Sequence, residues 1–329
     1  MSVDIAGFAM LQISNTVGPA LIASWLCWLA GVASSPLHAQ AAGVVPVNIY
    51  GDGNPLNGIE DNREQFGEKH GNADPSMNAG TVHCDGKFRG TAMVVDSREF
   101  AEGLKGVVLL SAAHVFYDLK KKRLFRRCEF RFMGWEDKSY YRSRINLRNV
   151  RMGDFSPRQE TATSGFGEGD WAFLYLRKPW KKFNPEQSLR VRNFSFAQTE
   201  SYQQSGGEFR LLAFDSTAGV ISKSRNCTVV ESVAGDLGGG RWKGQLLDDC
   251  DSADGASGGG IIAVLNGQQY LIGIRSGSHW SEATYPADMY PSGPPDGSVW
   301  DRRSNTNFGR AIDQRLLGEL GRFIQSHNE

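Results

Sequence analysis

Residues 254–264 read Asp-Gly-Ala-Ser-Gly-Gly-Gly-Ile-Ile-Ala-Val, a serine set among glycines and followed at once by four apolar residues. A nucleophilic serine needs a tight turn that exposes its hydroxyl while backbone N–H groups point at the same place, and glycine permits that geometry. Glycine-rich turns also precede strands in ordinary hairpins, where a serine has no chemical role. The stretch therefore fits two interpretations, a nucleophile at Ser257 or a plain hairpin turn.

Two upstream segments favour the nucleophile. Residues 109–114 read Leu-Leu-Ser-Ala-Ala-His, an apolar run that ends in two alanines and His114. Residues 169–174 read Gly-Asp-Trp-Ala-Phe-Leu, which places Asp170 at the start of another apolar run. Acyl transfer by serine requires a base that takes the hydroxyl proton, an acid that orients this base, and donors for the developing oxyanion. The chain offers the three side chains in the order His114, Asp170 and Ser257.

These segments resemble the motifs of the chymotrypsin-fold (trypsin-like) serine proteases. Ser-Ala-Ala-His is similar to Thr-Ala-Ala-His of that family, Gly-Asp-Trp-Ala-Phe-Leu to its Asp-Ile-Ala-Leu-Leu, and Gly-Ala-Ser-Gly-Gly to its Gly-Asp-Ser-Gly-Gly. The resemblance implies a serine endopeptidase that needs no cofactor. It implies that Ser257 attacks the peptide carbonyl, that His114 acts as base and then as acid, and that Asp170 orients the imidazole. It also implies an oxyanion hole formed by the N–H groups of Gly255 and Ser257.

The residue before Ser257 departs from the zymogen-activated members of that family. Those enzymes carry an aspartate there, which pairs with a newly freed N-terminus, whereas this chain has Ala256. The segment Cys250-Asp251-Ser252 resembles the corresponding segment of the bacterial glutamyl-endopeptidase-like branch. The resemblance to that branch implies an enzyme whose oxyanion hole forms without the buried ion pair.

Substrate specificity in the family depends on the segment before the serine and on a later strand. Asp251 stands where trypsin-type enzymes carry the acid that binds Lys or Arg, and Arg275 stands where glutamyl endopeptidases carry a histidine that binds a carboxylate. Both side chains could face the pocket and neutralise each other, or one could point outward. The closer resemblance to the glutamyl branch favours acidic substrates. The implied substrate-binding residues are Asp251, Ser252, Arg275, Ser276, Gly277 and Ser278.

Short apolar and β-branched runs, bounded by turn residues, recur from about residue 80 onward and predict an all-β barrel or sandwich. The resemblance implies two six-stranded antiparallel β-barrels, with a boundary near residues 180–205. Residues 285–301 are rich in Pro, Gly, Ser and Asp and predict a long loop. The strand-like runs occupy residues 90–95, 107–110, 171–176, 209–214, 227–230, 259–264 and 270–274. A C-terminal helix is predicted from one apolar helical face, formed by Ile312, Leu316, Leu320, Phe323 and Ile324.

Composition restricts the class of partner. The chain has 329 residues, of which 40% are hydrophobic, so it can form one large globular domain or two packed subdomains. Lys and Arg number 36 and so do Asp and Glu, which removes the electrostatic reason to expect a nucleic-acid or membrane-surface partner. The expected partners are protein or peptide substrates. Residues 120–127 form a local basic cluster, which we interpret as a solvated loop rather than a binding patch.

The N-terminal region predicts export. An apolar block at residues 19–33 is followed by small residues, which is typical of a signal peptide over residues 1–39, cleaved after Ala39 or Ala41. No Lys or Arg precedes Arg63, so an uncleaved anchor or a misplaced start codon stays as an alternative. Turn-rich residues 40–79 predict a surface extension, and residues 80–329 the protease domain. We expect a secreted or periplasmic protein without stable membrane association.

The cysteines outside the predicted signal peptide favour disulfides. They are four in number, an even count in an exported chain, and sequence allows three pairings. Nearest-neighbour pairing, Cys84 with Cys128 and Cys227 with Cys250, would staple each half of the protein separately. No Cys-x-x-Cys or Cys/His ligand spacing occurs, so the sequence does not predict a metal site.

Two other functions remain as alternatives. Gly-Ala-Ser-Gly-Gly also fits the Gly-x-Ser-x-Gly motif of α/β-hydrolase esterases, but that fold requires its acid and histidine after the serine. Only His279 and His327 follow Ser257. The second alternative is a non-catalytic protein of the trypsin fold, which would act by binding.

Overall fold

The structure is a computed structural model. The chain divides into two units, residues 1–42 and 43–329, and the described residues all belong to the second unit. The predicted signal peptide and most of the predicted extension lie outside the described residues. The structure describes residues 49–51, 61–65, 78–118, 120–133, 140–154, 167–180, 183, 185–193, 201–202, 204–233, 236, 244–289 and 294–328.

Most regular structure in the described residues is β-strand, and the long C-terminal helix α1 spans Gln314–Gln325. The strands are β1 (Tyr50–Gly51), β2 (Arg63–Gln65), β3 (Ala79–Cys84), β4 (Lys87–Val95), β5 (Val107–Ser111), β6 (Tyr117–Asp118), β7 (Arg123–Leu124), β8 (Cys128–Met133), β9 (Tyr140–Ile145), β10 (Arg151–Met152), β11 (Ala172–Leu176), β12 (Arg190–Val191), β13 (Glu208–Asp215), β14 (Val220–Ser224), β15 (Val229–Glu231), β16 (Gln245–Asp248), β17 (Gly260–Leu265), β18 (Gln268–Trp280), β19 (Ser298–Val299) and β20 (Asn305–Ala311).

The strands form two large sheets. The first has seven strands in the order β10-β11-β5-β4-β3-β8-β9, all paired antiparallel. The second has the order β15-β16-β20-β18-β17-β13-β14-β2, with β12 added to β18 as a parallel strand. The predicted all-β class with two antiparallel sheets and a C-terminal helix is confirmed. The first sheet has seven described strands and the second has nine, more than the six expected in each half, because short edge strands extend both sheets.

The antiparallel connectivity excludes the esterase alternative, whose fold layers helices between the strands of a largely parallel sheet.

Alternating and continuous apolar runs explain why the strands form. Strand β5 is buried along its whole length, as its sequence Val-Val-Leu-Leu-Ser predicts for a central strand. The predicted run at residues 227–230 is a strand only from Val229 onward. Residues 285–289 and 294–301 carry only the two-residue strand β19, in agreement with the predicted loop.

Helix α1 begins after Asp313, whose side chain accepts a hydrogen bond from the Leu316 N–H at 2.8 Å and so caps the first turn. Its buried side chains include Leu316, Leu320, Phe323 and Ile324, as the spacing predicts, whereas Ile312, predicted on the same face, precedes the cap and lies outside the helix. Those side chains join the core of the first sheet, where the ring centroids of Phe173 and Phe323 lie 5.7 Å apart. The helix therefore returns from the second sheet to close the core of the first.

The two disulfides join Cys84 to Cys128 and Cys227 to Cys250, which confirms the nearest-neighbour pairing. The first bridge links the neighbouring strands β3 and β8. Within the part of the chain that the structure covers, no helix is long and apolar enough to cross a membrane.

The described part of the predicted extension is integrated into the sheets rather than irregular. Strand β2 pairs with β14 at the edge of the second sheet, and β1 pairs in parallel with β19. Tyr50 is only 7% exposed. This segment was expected to lie on the surface because its turn-rich composition carries no strand signal.

Candidate active site

The ends of two neighbouring strands bring His114 and Asp170 together. Strand β5 leads into a 3₁₀ turn at Ala113–Phe116, and a 3₁₀ turn at Gly167–Gly169 leads into β11. Because β5 and β11 are antiparallel, the end of one strand lies beside the start of the other. The Asp170 carboxylate is fully buried, and its Oδ2 lies 2.9 Å from His114 Nδ1. Its Oδ1 accepts the His114 backbone N–H at 3.0 Å.

This contact selects one tautomer of the imidazole. An ionised carboxylate only accepts hydrogen bonds, so His114 Nδ1 must carry the proton that points at Asp170. In the neutral ring, the other nitrogen, Nε2, is then a hydrogen-bond acceptor. The second bond, from the backbone of the same histidine, fixes the carboxylate against rotation. The pair is therefore arranged for His114 to accept a proton at Nε2.

Side chains from the second sheet hold the turn before Asp170. Arg310 Nε donates to the Glu168 carbonyl at 3.0 Å, and Gln245 Nε2 donates to the Gly167 carbonyl at 2.9 Å. Arg310 is 3% exposed and also bonds the Asp313 carboxylate at 2.7 Å. Sequence reasoning missed both side chains, since nothing in their local sequence indicates a partner in the other sheet.

The turn that carries Ser257 depends on its glycines. Gly255 has a φ of +100° and Gly258 a φ of +81°, a region in which a side chain is strained. A Cβ at Gly255 would lie 2.6 Å from the Phe88 ring, and a Cβ at Gly258 would overlap the Thr91 carbonyl and the Ser111 hydroxyl. The conformation and close packing of the turn therefore require glycine at positions 255 and 258.

Thr91 of β4 connects this turn to both sheets. Its backbone N–H donates to the Ser257 carbonyl at 2.7 Å, and its hydroxyl donates to the Gly255 carbonyl at 2.8 Å. The same hydroxyl accepts the Phe214 N–H at 2.9 Å. Thr91 is fully buried, so each of these bonds is protected from water. No local sequence pattern indicated a role for Thr91.

The first sheet also brings Ser257 toward the His114 segment. Gly90 precedes Thr91. A Cβ added to Gly90 would lie 2.6 Å from the Ser257 carbonyl oxygen and 2.8 Å from Val115 Cγ2. Val115 directly follows His114. The two segments therefore meet at a glycine that admits no side chain.

Two backbone donors of the serine turn are left unpaired. The N–H groups of Ala256, Gly258 and Gly259 each bond a carbonyl oxygen. Those of Gly255 and Ser257 have no acceptor among the residues that the structure describes. The half-buried Ser257 places its Oγ 3.5 Å from the Ser276 carbonyl oxygen, at the outer limit of a hydrogen bond. Two donors and a weakly engaged hydroxyl thus occupy one turn.

Arg275 is buried beneath this turn, with 1% of its surface exposed. Its Nη1 lies 2.8 Å from each oxygen of Asp248, and its Nη2 donates to Ser252 Oγ at 2.8 Å. The positive charge is therefore matched by a carboxylate that sequence reasoning did not select. Asp248 ends strand β16 and is followed by Asp249, and nothing in this local sequence indicates which acid pairs with Arg275.

Asp251 is held by the N-terminal segment. Its Oδ1 accepts the Tyr50 N–H at 2.9 Å and its Oδ2 accepts the Asn62 N–H at 2.7 Å. It is 3% exposed, and this burial raises the pKa of its carboxyl to about 6. Asp251 and Arg275 thus bind separate partners, which is neither of the two arrangements considered from the sequence.

The remaining predicted pocket residues lie on β18. A β-bulge falls between Arg275 and Gly277, and it re-aims the side chains at this point of the strand. The Ser276 hydroxyl is buried without a hydrogen-bond partner in the described residues. Ser278 Oγ donates to Asn307 Oδ1 at 2.6 Å, which ties β18 to β20.

The titration of Asp251 leads to a prediction. Its folded-state pKa of about 6 lies above the usual value of 3.8, so the folded protein binds this proton more tightly than the unfolded chain does. This difference in proton binding stabilises the folded protein by on the order of 3 kcal/mol. The stabilisation is complete below the usual pKa of 3.8 and is lost as the pH rises through about 6. Urea unfolding of wild type and Asp251→Asn should therefore differ in the pH slope between 4 and 7. An equal slope would contradict the burial argument.

Comparison with known proteins gives structural neighbours only. No protein-family model matches the chain, and no curated protein matches it. A Glu endopeptidase solved in complex with MPD has a TM-score of 0.47 and 11% identity, covering 82% of this chain and 97% of its own. A thermostable serine protease, AL20, from an extremophilic microorganism has a TM-score of 0.46 and 13% identity, covering 76% and 98%.

Proposed function

We propose that this protein is a serine endopeptidase that hydrolyses peptide bonds through Ser257, His114 and Asp170. The observation that carries the proposal is the Asp170–His114 pair, with 2.9 Å between Oδ2 and Nδ1, next to a serine turn with two unpaired N–H donors. A histidine held in this tautomer is the general base that a serine nucleophile requires. Two N–H groups of one turn that bond no carbonyl of the described residues are the donors that an oxyanion hole requires.

The chemistry follows from these positions. Ser257 Oγ attacks the scissile carbonyl carbon while His114 Nε2 takes the hydroxyl proton, and the carbonyl oxygen becomes an oxyanion. The N–H groups of Gly255 and Ser257 stabilise this oxyanion, where loss of one donor typically costs on the order of 100- to 1000-fold in rate. His114 then returns the proton to the departing amine, which leaves an ester on Ser257. Water, activated by the same histidine, hydrolyses the ester.

We further propose a preference for acidic side chains on the acyl side of the scissile bond. Both oxygens of Asp251 accept backbone hydrogen bonds, so this acid is not free to bind a substrate lysine or arginine. Arg275 Nη1 and Nη2 are engaged by Asp248 and Ser252, so in this proposal Arg275 acts indirectly, by fixing the Ser252 hydroxyl. Because Asp248 balances the charge of Arg275, we expect the preference to come from hydrogen bonds more than from net charge.

The same proposal includes secretion or a periplasmic location. Disulfides persist in oxidising compartments, and this chain has two of them, one in each sheet region.

Labelling with a fluorophosphonate probe tests the nucleophile. Wild type should react covalently, and Ser257→Ala should not, because only an activated serine attacks the phosphorus at a measurable rate. Ser216→Ala is the matched control, since Ser216 is an exposed serine in the turn between β13 and β14. Absence of Ser257-dependent labelling in folded protein would favour the non-catalytic alternative.

Cleavage of a peptide library tests the specificity. We expect products that end mainly in Asp or Glu. A profile dominated by Lys or Arg would contradict the acidic preference, while leaving the protease proposal intact.

A further inference from the structure

We propose that a basic concave surface beside the His114 turn binds an acidic segment of the peptide substrate, outside the pocket for the cleaved residue. This inference rests on the proposed protease function. The concavity has a volume of about 640 Å³. We call it the basic concavity, and its lining residues are Asp85, Gly86, Lys121, Arg123, Arg126 and Arg127.

The charge of this surface is strongly one-sided. Arg123, Arg126 and Arg127 are exposed and form no ion pair with any residue that the structure describes. Lys121 pairs with Asp118 at 3.4 Å. One carboxylate, that of Asp85, also lines the concavity, where it accepts the Arg127 backbone N–H at 3.1 Å. The lining thus contains four cations and one carboxylate, although the net charge of the chain is zero.

The basic concavity lies close to the proposed catalytic histidine. The Cys84–Cys128 disulfide directly follows Arg127, and Cys84 Sγ lies 3.9 Å from the Val115 carbonyl oxygen. The Phe125 N–H donates to the Phe116 carbonyl at 3.0 Å, which brings the basic segment back to the His114 turn.

These links limit the distance to the substrate. With ~3.8 Å between consecutive Cα atoms, Arg126 lies within about 17 Å of His114. An extended peptide advances ~3.3 Å per residue, so at most about five residues of substrate span the distance from His114 to this surface. A single substrate chain can therefore occupy both places.

The surface is also pre-organised, which differs from the solvated loop that we inferred from sequence. The disulfide and the reciprocal bonds between Asp85 and Arg127 fix its base, with the Asp85 N–H donating to the Arg127 carbonyl at 2.7 Å. The Arg89 guanidinium stacks 4.1 Å from the centre of the Phe125 ring. A fixed backbone reduces the entropy lost when a peptide binds.

An acidic peptide is the occupant that the surface favours. Four of the six lining residues are exposed cations and none carries an aliphatic or aromatic side chain, so the surface suits several carboxylates rather than an apolar side chain. Each exposed ion pair contributes little, so several must act together, with a total effect of about 10- to 100-fold. Such an effect weakens as salt screens the charges.

Kinetics with matched peptides test this proposal. One peptide carries a cleavable residue with neutral flanks, and two others add four Asp or Glu residues about five positions before or after it. Mass spectrometry quantifies cleavage at the shared bond alone, since the added acidic residues are themselves expected cleavage sites. Wild type should show a kcat/KM about 10- to 100-fold higher for at least one acidic peptide, and this gain should fall at high salt. The variant Arg123→Gln, Arg126→Gln, Arg127→Gln should lose the gain and keep the activity on the neutral peptide.

The control variant removes three exposed cations elsewhere, at Arg177, Lys178 and Arg315. It should retain the gain, which would exclude a general effect of net charge. Circular dichroism confirms folding of each variant, and Arg126→Gln alone replaces the triple variant if that one does not fold. Equal kcat/KM values for all peptides in wild type would overturn the proposal.

Binding to Ser257→Ala separates this inference from the protease function. Acidic peptides labelled with a fluorophore should bind Ser257→Ala, even if wild type cleaves no peptide. They should bind more weakly to the variant that combines Ser257→Ala with the three Arg→Gln substitutions. A sulfated polysaccharide serves as the competing ligand. Binding of the polysaccharide without binding of the acidic peptides would overturn the proposal in favour of a carbohydrate site.

Discussion

Replacing Asp170 with asparagine is expected to lower kcat by about four orders of magnitude, with a small change in KM. The two side chains have nearly the same shape, so the turn at Gly167–Gly169 should keep its structure. The amide, however, can present its N–H₂ to His114 Nδ1, which then becomes an acceptor and leaves the proton on Nε2. In that tautomer His114 cannot accept the proton of Ser257.

The measurement is steady-state hydrolysis of the best peptide from the library. Asp154→Asn is the control, because Asp154 is an exposed acid close to the same turn, and its kcat should stay near that of wild type. A decrease of less than about 100-fold for Asp170→Asn would mean that the tautomer of His114 is not set by this contact. The thermal midpoint of each variant shows whether a loss of activity follows from unfolding.

Replacing Asp248 with leucine is expected to lower the free energy of unfolding by about 3–5 kcal/mol. The reason is that Arg275 is 1% exposed and would keep its charge without a partner carboxylate. The double variant Asp248→Leu, Arg275→Met should recover most of that loss, since an apolar pair of similar volume avoids the cost of burying two ions. Urea unfolding of the two single variants and the double variant gives the coupling energy.

An exposed ion pair provides the comparison. Arg322 is 60% exposed in its pair with Glu319, so Arg322→Ala should change the free energy of unfolding by less than about 1 kcal/mol. A double variant no more stable than Asp248→Leu would show that Arg275 contributes through its bond to Ser252 rather than through the ion pair. Specificity should also shift in the double variant, because Arg275 fixes the Ser252 hydroxyl of the proposed pocket.

Local patterns were sufficient to predict much of the fold and to select the residues of the candidate site. Apolar runs bounded by turn residues predicted the central strands, and the spacing from Leu316 to Ile324 predicted helix α1, because these signals depend on neighbours in sequence. The segments around His114, Asp170 and Ser257 were recognisable for the same reason. Each places a reactive side chain at the end or start of an apolar run.

Hydrogen-bond and ion-pair partners that are far apart in sequence could not be predicted from local patterns. The hydroxyl of Thr91 bonds Gly255, a residue 164 positions away, and Arg310 reaches Glu168 over 142 positions. Asp248 is a comparable case, because any of several buried polar groups could have faced Arg275. Such choices depend on how the two sheets dock, and no short pattern encodes that docking.

The N-terminal strands constrain the order in which this molecule can fold. The bond between Tyr50 and Asp251 spans 201 positions, and β1 pairs with residues 298–299. Contacts of this kind raise the contact order and slow folding, since a long loop must close before they form. Strand β1 therefore cannot reach its partners at residues 298–299 until most of the second sheet is in place. If the proposed protease needs the complete second sheet, its activity would be among the last properties acquired during folding.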